Sequence, residues 1–307
     1  RLQGRFGEET SPRRTVAMAV KVVSIGELLF DVFPDGERLG GAPANFAWHA
    51  STQGADVVML SAVGDDNRGA LARQTLSSGG VNITGIGVTG LPTGIVSVSV
   101  SADGQPSYEI VEDVAWDEIE FGSALEPLVK DADVVCWGTL GQRSCRSLYA
   151  HRQLFGFLPD RCLRVFDVNI RAPFYATDVI DHGLRNANLL KLNDQEIPVL
   201  RGFLGGPSDD REFLKTLRWE FDIDTIVLTL GEDGCRVFSK DIDFKEPCVP
   251  VDVANTVGAG DAFTAGFVLQ MLAGADLKTC ARRANQVGAF VATQDSGMPS
   301  LPVHLRE

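Results

Sequence analysis

From Lys21 onward, short apolar runs rich in β-branched residues alternate with longer stretches that have the periodicity of amphipathic helices. Strands separated by helices of this length form right-handed βαβ units, which build a parallel sheet covered by helices on both faces. We therefore predict an α/β fold with a doubly wound, mostly parallel sheet. The predicted strands are Lys21–Ile25, Val57–Ser61, Val134–Trp137, Val165–Val168, Leu189–Leu192 and Thr225–Leu230. The predicted helices are Ala44–Gln53, Gly69–Ser78, Ser144–Phe155, Asp209–Glu220, Gly260–Leu272 and Leu277–Thr293.

One segment departs from this alternation. From Gly94 to Ser101, apolar and small residues alternate with a period of two, and Tyr108–Val111 follows after a turn at 102–105. Strict alternation is typical of a sheet with one solvated face. The segment therefore predicts a small β-strand lid beside the main sheet, which would exclude water from a reacting centre. A plain surface hairpin is the alternative.

Composition excludes several classes of function. The formal net charge is −13 and no run of Lys or Arg offsets it, which argues against a nucleic-acid or anionic-membrane partner. The six cysteines are scattered without a C-x-x-C pair, so the sequence predicts neither a zinc site nor a disulfide framework, but reduced thiols in a cytoplasmic protein. No apolar run is long enough to span a membrane. An anionic substrate would have to be bound by backbone amides, helix ends and a divalent metal.

The first residues differ from the rest of the chain. They are polar and contain arginines and glutamates, without the apolar region of a secretory signal. We predict a disordered extension over residues 1–19, followed by one domain over 20–307.

The clearest chemical signal lies between Asn255 and Phe263. Gly258, Ala259 and Gly260 lead directly into Asp261, and an apolar helical pattern follows. Small residues let the backbone approach a ligand closely, and the free N–H groups at a helix start form a site for phosphate oxygens. Asp261 would be a base beside that anion hole, an arrangement suited to phosphoryl transfer to a hydroxyl. The alternative is a tight turn in which the aspartate only complements the helix dipole.

Other motifs are weaker. Gly40–Ala47 precedes a helix and carries Asn45, whose amide offers both a donor and an acceptor to a polyol. Gly85–Gly90 matches G-x-G-x-x-G, but no helix follows it, so it is not a dinucleotide fingerprint. The chain has no P-loop motif, and its four histidines show no spacing typical of metal ligands.

Five motifs occur in the order found in the ribokinase-like (pfkB) carbohydrate kinases and resemble that family. The two terminal signatures lie at Gly40–Gly64 and Asn255–Phe263. Between them are Phe166–Arg171 (F-D-x-N-x-R), Asn193–Glu196 (N-x-x-E) and Thr229–Gly234 (T-L-G-x-x-G). The resemblance extends from about residue 21 to the end of the chain. It implies a kinase domain with lid strands at about 30–41 and 92–117.

The resemblance also implies roles for the residues that match each motif. Asp261 is expected to be the general base that takes a proton from the sugar hydroxyl, and the amides of Gly258, Ala259 and Gly260 are expected to form the anion hole. The family binds ATP and Mg²⁺, and Asn193 and Glu196 match the motif that organises Mg²⁺ through its waters. A simple helix cap is the alternative for this pair. The remaining matches to the ATP site are Thr229, Gly231, Asn285 and Ala289.

The sugar site follows from the same resemblance. The matching residues are Asp31, Gly41, Asn45, Asp167, Asn169 and Arg171. Arg171 would serve either the sugar or a phosphate, and the sequence does not choose between them. Asn255 stands where the family more often has an aspartate that helps bind a monovalent cation. An amide can coordinate a cation through oxygen but brings no charge, which leaves K⁺ activation open.

Within the family, Gly26–Asp31, Gly40–Asn45 and Ala115–Asp117 are most similar to fructokinases. Free fructose is therefore the leading acceptor, with ribose, 2-keto-3-deoxygluconate or a nucleoside open, because a few side chains decide among them. Trp116 would either close over the apolar face of the sugar or pack at the lid hinge. The lid strands of relatives often pair across a dimer, which makes a homodimer through the lid possible, but the sequence itself does not give the oligomeric state. A non-catalytic sugar or nucleotide sensor is the alternative from another class.

Overall fold

The computed structural model describes residues 19–100 and 106–306, without side-chain detail at 98–100 and 106–108. The predicted extension, apart from Ala19, and the predicted turn at 102–105 lie outside the described residues. The strands are β1 (Lys21–Ile25), β2 (Leu29–Phe33), β3 (Gly36–Gly40), β4 (Asp56–Gly64), β5 (Ile86–Thr89), β6 (Gly94–Val100), β7 (Pro106–Ile110), β8 (Val134–Trp137), β9 (Leu163–Asp167), β10 (Leu189–Asn193), β11 (Thr225–Thr229), β12 (Cys235–Phe238) and β13 (Asp243–Glu246). The helices are α1 (Ala42–Thr52), α2 (Asn67–Ser78), α3 (Glu126–Val129), α4 (Cys145–Phe155), α5 (Thr177–Asn186), α6 (Glu196–Leu204), α7 (Asp210–Glu220), α8 (Ala259–Leu272) and α9 (Leu277–Ala292).

Nine strands form the main sheet in the order β13-β12-β11-β10-β9-β8-β1-β4-β5. The seven strands from β11 to β5 are parallel, and β12 and β13 add an antiparallel edge. All six predicted strands and six predicted helices are present, with ends that differ by no more than three residues. The α/β prediction is confirmed.

Several short elements of the structure could not be predicted from the sequence, for physical reasons. Strand β13 carries three charged residues among its four, so it lacks the apolar run of a buried strand. Helix α6 contains Pro198 and Gly202, which interrupt a helical pattern. Strand β5 is a four-residue edge strand that includes Gly87. These elements still contribute to the core, through Ile197 and Leu200 of α6 and Ile86 of β5, so packing and not the local pattern holds them in place.

Successive residues of the central strands pack on opposite faces of the sheet. Val22 packs with α1, α2, α8 and α9 on one face, whereas Val23 packs with α4, α5, α6 and α7 on the other. Both faces are therefore covered, as a parallel sheet requires. All six cysteines are free thiols. None of the helices among the described residues is long and apolar enough to cross a membrane.

A second, small sheet has the order β3-β2-β6-β7. Its strands β6 and β7 pair antiparallel, as the alternating segment predicts, and β2 and β3 occupy the range predicted for the other lid strands. Trp116 is only 1% exposed, and the guanidinium carbon of Arg143 lies 3.8 Å from its ring centroid. The tryptophan is therefore a packed aromatic, and of the two alternatives for Trp116 the structure supports packing at the hinge.

The strand order also determines where a ligand can bind. From β1, the chain runs outward through β4 to β5 in one direction and through β8, β9, β10 and β11 in the other. The carboxyl ends of β1 and β8 therefore meet at a point where the strand order reverses. Ligands of open α/β sheets bind in the crevice at such a point.

Candidate active site

Asp261 lies in the first turn of α8 and is held by a residue from α1. Asn45 Nδ2 donates a hydrogen bond of 2.8 Å to Asp261 Oδ2. These two residues are 216 positions apart, and they meet because α1 and α8 pack side by side on the same face of the sheet. The bond leaves the other carboxylate oxygen, Oδ1, for a second partner. The structure thus joins the predicted base to a predicted sugar ligand.

The backbone at the start of α8 is shaped by glycine. Gly258 is the N-cap residue and has φ of 78°, in the left-handed region. A Cβ atom there would lie 2.6 Å from Gly297 Cα and 2.7 Å from Gly297 O. The turn therefore needs glycine both for its dihedral angle and for its close approach to the neighbouring chain. Of the three amides predicted for the anion hole, that of Ala259 donates to Thr256 O at 3.2 Å.

The surroundings of Asp261 make it a stronger base than an exposed aspartate. Burial, with the charge of Asp167 adding to it, raises the pKa of Asp261 to about 6, against the opposing effects of Lys191, Asn45 and Arg171. The carboxylate form still predominates at neutral pH. A base with a pKa just below the working pH is efficient, because it is ionised and yet binds a proton readily.

A buried ion pair lies beside Asp261. Lys191 Nζ is 3.0 Å from both carboxylate oxygens of Asp167, and each side chain is only 8% exposed. Burial opposes the charge of Lys191, but Asp167, Glu196 and Asp261 raise its pKa above the ordinary value. Asp167 was predicted to bind sugar, and in the structure its two oxygens are engaged with this ammonium.

Three of the predicted sugar ligands are close to one another. Asp31 faces Gly40, where a Cβ atom would lie 2.5 Å from Asp31 Oδ2. Gly41, with φ of 103°, is the N-cap residue of α1, and its carbonyl accepts from Asn45 N. Burial raises the pKa of Asp31 to about 6, and Arg171 and Arg38 oppose the shift. A carboxylate in this position can accept hydrogen bonds from sugar hydroxyls.

Asn169 and Arg171 follow β9 at its carboxyl end. Asn169 has φ of 40°, a left-handed conformation that is uncommon for a residue other than glycine. Arg171 is exposed, and its charge lowers the pKa of both Asp31 and Asp261 against the effect of burial. A small cavity of about 10 Å³ is lined by Asp261, Asp167 and Asn169, among others. A larger hollow of about 400 Å³ lies near the β5 edge of the sheet, and no predicted site residue lines it.

Asn193 and Glu196 form a reciprocal pair at the end of β10. Asn193 N donates to Glu196 Oε2 at 2.8 Å, and Glu196 N donates to Asn193 Oδ1 at 3.0 Å. Ile170 N donates to Glu196 Oε1 at 2.9 Å. These reciprocal bonds have the pattern of a capping box, although α6 itself begins at Glu196, so the observed bonds agree with the helix-cap alternative. Lone pairs remain on both oxygens of Glu196, and they fit a water-mediated contact to Mg²⁺. Within the described ranges, no group of three or more His, Cys, Asp or Glu side chains is placed to hold a metal ion.

The predicted ATP residues divide into two groups. Thr229 in β11 is the strand partner of Asn193 in β10. A Cβ atom on Gly231 would have no described atom within 4 Å, so the space beside this glycine is open. Asn285 and Ala289 are buried on α9. The Asn285 amide donates to the carbonyls of Glu246 and Pro247 at 3.2 and 3.1 Å. Thr229 and Gly231 thus lie next to the pair of Asn193 and Glu196. Asn285 instead hydrogen-bonds to the backbone at the end of β13 and just after it.

Asn255 forms a local turn ahead of α8. Its side-chain oxygen accepts from Val257 N at 2.9 Å, and its amide nitrogen lies 3.5 Å from Asp295 O. The oxygen that a monovalent cation would use therefore already has one donor.

The model of the pfkB family of carbohydrate kinases matches residues 20–304, which is nearly all of the described chain. The chain belongs to the pfkB carbohydrate kinases. It is 28% identical to a probable fructokinase-5 of Arabidopsis thaliana, over 92% of this chain and 94% of that protein. A sugar kinase from Pyrococcus horikoshii in complex with ATP aligns with a TM-score of 0.77 and 26% identity, over 92% of this chain and 95% of that one. A Vibrio cholerae fructokinase with bound fructose, ADP and calcium has the same fold (TM-score 0.77, 20% identity, 92% and 96% covered).

Two polar residues of this kinase site were not predicted. Lys191 is the only charged residue in β10, and a buried lysine in a central strand requires a partner. Glu27 is 2% exposed, and its Oε2 atom is buried without a hydrogen-bond partner among the described atoms. The signal for both was one charged residue among apolar neighbours, in the middle of a parallel strand for Lys191 and just after such a strand for Glu27.

Glu27 makes the stability of the kinase depend on pH. Burial raises the pKa of Glu27 from 4.5 to about 7. Between these values the folded protein holds a proton that the unfolded chain releases, so its contribution to stability is complete below pH 4.5 and is lost as the pH rises to 7. We expect Glu27→Gln to gain stability relative to wild type across this range, by up to about 3 kcal/mol. Denaturant unfolding at several pH values measures the difference.

The matched control is Glu220→Gln, at the exposed end of α7. Its free energy of unfolding relative to wild type should change little over the same range. A Glu27→Gln difference that is independent of pH would contradict the burial of a neutral Glu27.

Proposed function

We propose that this carbohydrate kinase transfers the γ-phosphoryl group of ATP to a hydroxyl of free fructose. The observation that carries the proposal is the hydrogen bond between Asn45 and Asp261 at the N-terminus of α8. It brings a base with a raised pKa, the start of a helix and a polyol ligand to one place. The names of the curated relatives support fructose as the acceptor.

In this mechanism Asp261 accepts the proton of the attacking hydroxyl through Oδ1, while Asn45 holds Oδ2. The free amides at the start of α8, including those of Gly258 and Gly260, bind the oxygens of the transferring phosphoryl group. Phosphoryl transfer depends mainly on positioning and charge stabilisation, so these groups can supply most of the catalysis. Asp31 and Asn45 would orient the sugar through its hydroxyls.

Mg²⁺ would be held through water by Asn193 and Glu196, and when bound it shields the phosphate charges. The solved neighbours with ATP, or with ADP and calcium, support a nucleotide and a divalent cation here. Thr229 and Gly231 would lie along the phosphates of ATP, and Asn285 and Ala289 would lie beside its adenine. K⁺ activation stays open at Asn255. The small sheet is proposed to be the lid, and a homodimer through it and a cytoplasmic location remain predictions.

The test is coupled ATP consumption with Mg²⁺ against fructose, ribose, 2-keto-3-deoxygluconate, glucose and several nucleosides, with and without K⁺. Turnover with fructose well above that with the other acceptors would support the proposal. Faster turnover with another acceptor would leave the proposed mechanism in place but show that fructose is not the preferred substrate. Binding of ATP without turnover of any acceptor would contradict the proposed kinase activity and favour a non-catalytic sensor.

A further inference from the structure

The buried pair of Asp167 and Lys191 connects three elements that meet at the site. Asp167 ends β9 and Lys191 lies in the middle of β10. Both side chains lie next to the N-terminal part of α8. Thr264 Oγ1, one turn into α8, lies 3.4 Å from Asp167 Oδ2 and donates to Gly260 O at 2.9 Å. The pair is thus joined to the turn that carries Asp261.

The pair is oriented with respect to that turn. A Cβ atom on Gly260 would have two atoms within 4 Å outside the α8 backbone and its chain neighbours, Lys191 Nζ at 3.3 Å and Lys191 Cε at 4.0 Å. The ammonium therefore lies beneath Gly260. The Asp167 carboxylate affects Asp261 more than Lys191 does, and it raises the pKa of that base. The positive end of the pair faces the anion hole, and the negative end acts on the base.

We propose that Asp167 and Lys191 are an oriented pair of positioning residues, in which Lys191 places positive charge beneath the phosphoryl site and Asp167 strengthens Asp261 as a base. The inference rests on the proposed kinase function and deepens it. It gives Asp167 a role other than sugar ligand. In an acidic protein, a fixed ammonium beneath the anion hole offsets part of the charge of an incoming phosphoryl group, without direct contact.

Several other groups act on Asp261 and must be included in any pH argument. Arg171 follows β9, and Asn45 lies on α1. Glu27 follows β1, and Cys136 lies in β8; the charge of Asp261 raises the pKa of both. All four are unchanged in the variants below, so their effects cancel in the comparison with wild type.

The test is the double variant Asp167→Asn/Lys191→Met. It replaces the pair with neutral residues of similar volume, which buried ion pairs generally tolerate. Activity is compared at pH 8, where Asp261 is ionised in every variant. We expect kcat to fall by about tenfold, less than the loss from removing a direct anion-hole donor, with KM for sugar and ATP changed by less than about threefold.

The dependence of kcat on pH in the single variants is a second measurement. If the pair had only a structural role, the pH at which kcat falls would not change. Asp167→Asn should shift the acidic limb of kcat to lower pH, because a charge that raises the pKa of Asp261 is lost. Lys191→Met should shift it to higher pH, because a charge that lowers this pKa is lost. The double variant should shift it to lower pH, since Asp167 has the larger effect. If Lys191→Met fails to fold, Asp167→Asn and the double variant still decide the matter.

The matched control removes the ion pair between β12 and β13 with Arg236→Met/Asp243→Asn. Its acidic limb should coincide with that of wild type. The inference would be overturned if the double variant Asp167→Asn/Lys191→Met had the kcat of wild type and the same acidic limb in its pH profile. So would a large rise in sugar KM at unchanged kcat, which would make Asp167 a sugar ligand. Absence of turnover in the wild type with every acceptor would instead contradict the proposed function.

Discussion

We expect Asp261→Asn to lower kcat by roughly 10²- to 10⁴-fold while ATP binding is almost unchanged. The amide has nearly the same shape as the carboxylate but cannot accept a proton from the sugar hydroxyl. Asn45 can still hydrogen-bond to its side-chain oxygen, so the hydrogen bond between α1 and α8 is preserved. Steady-state kinetics with the best acceptor, together with ATP titration, measures both effects.

The wild-type pH profile should identify the same group. Because the pKa of Asp261 is raised to about 6, its base form is lost as the pH falls through 6, and kcat should fall with it. The residual activity of Asp261→Asn should lack this acidic limb. A control for a first-turn aspartate is Asp178→Asn in α5, a residue whose side chain is 66% exposed. It should leave kcat within about twofold of wild type. An Asp261→Asn variant with wild-type kcat would remove Asp261 from the mechanism.

The second large effect is expected for Gly258→Ala. The new methyl group would lie 2.6 and 2.7 Å from backbone atoms of Gly297, and the residue would keep a left-handed conformation that costs about 1 kcal/mol or more. Backbone atoms cannot rotate away, so either the Gly297 segment or the first turn of α8 must move. A displacement of about 1 Å of a positioned group costs about 10²-fold in rate. We expect kcat to fall by at least that factor and the melting temperature to fall.

The matched control is Gly274→Ala, in the turn between α8 and α9. This residue has a similar φ of 83°, but a Cβ atom there meets no atom within 4 Å. The Gly274→Ala variant should therefore lose only the stability that a left-handed alanine costs, and its kcat should equal that of wild type. Equal kinetic losses in both variants would show that the dihedral angle, and not the contact with Gly297, limits the site.

The alternation of strands and helices was readable in the sequence because it depends on local patterns. Strands β1 and β8 were predicted with their observed ends, since each is a short apolar run bounded by turn residues. The small sheet was partly readable as well, because the alternation in β6 differs from that of a buried strand. Elements such as β13 and α6 were missed, because their charged residues or their Pro198 and Gly202 contradict the local pattern.

The sequence by itself determined the class of the fold and the family, and it was enough to predict the position of the proposed base, because Gly258–Asp261 carries its chemistry within one turn. Only the tertiary structure decided which groups surround that base. The Asn45 bond, the contact of Gly258 with Gly297 and the Lys191 charge beneath Gly260 all join residues distant in sequence. Side-chain burial and charge act through space, so the raised pKa of Asp261 depends on packing that no local pattern contains.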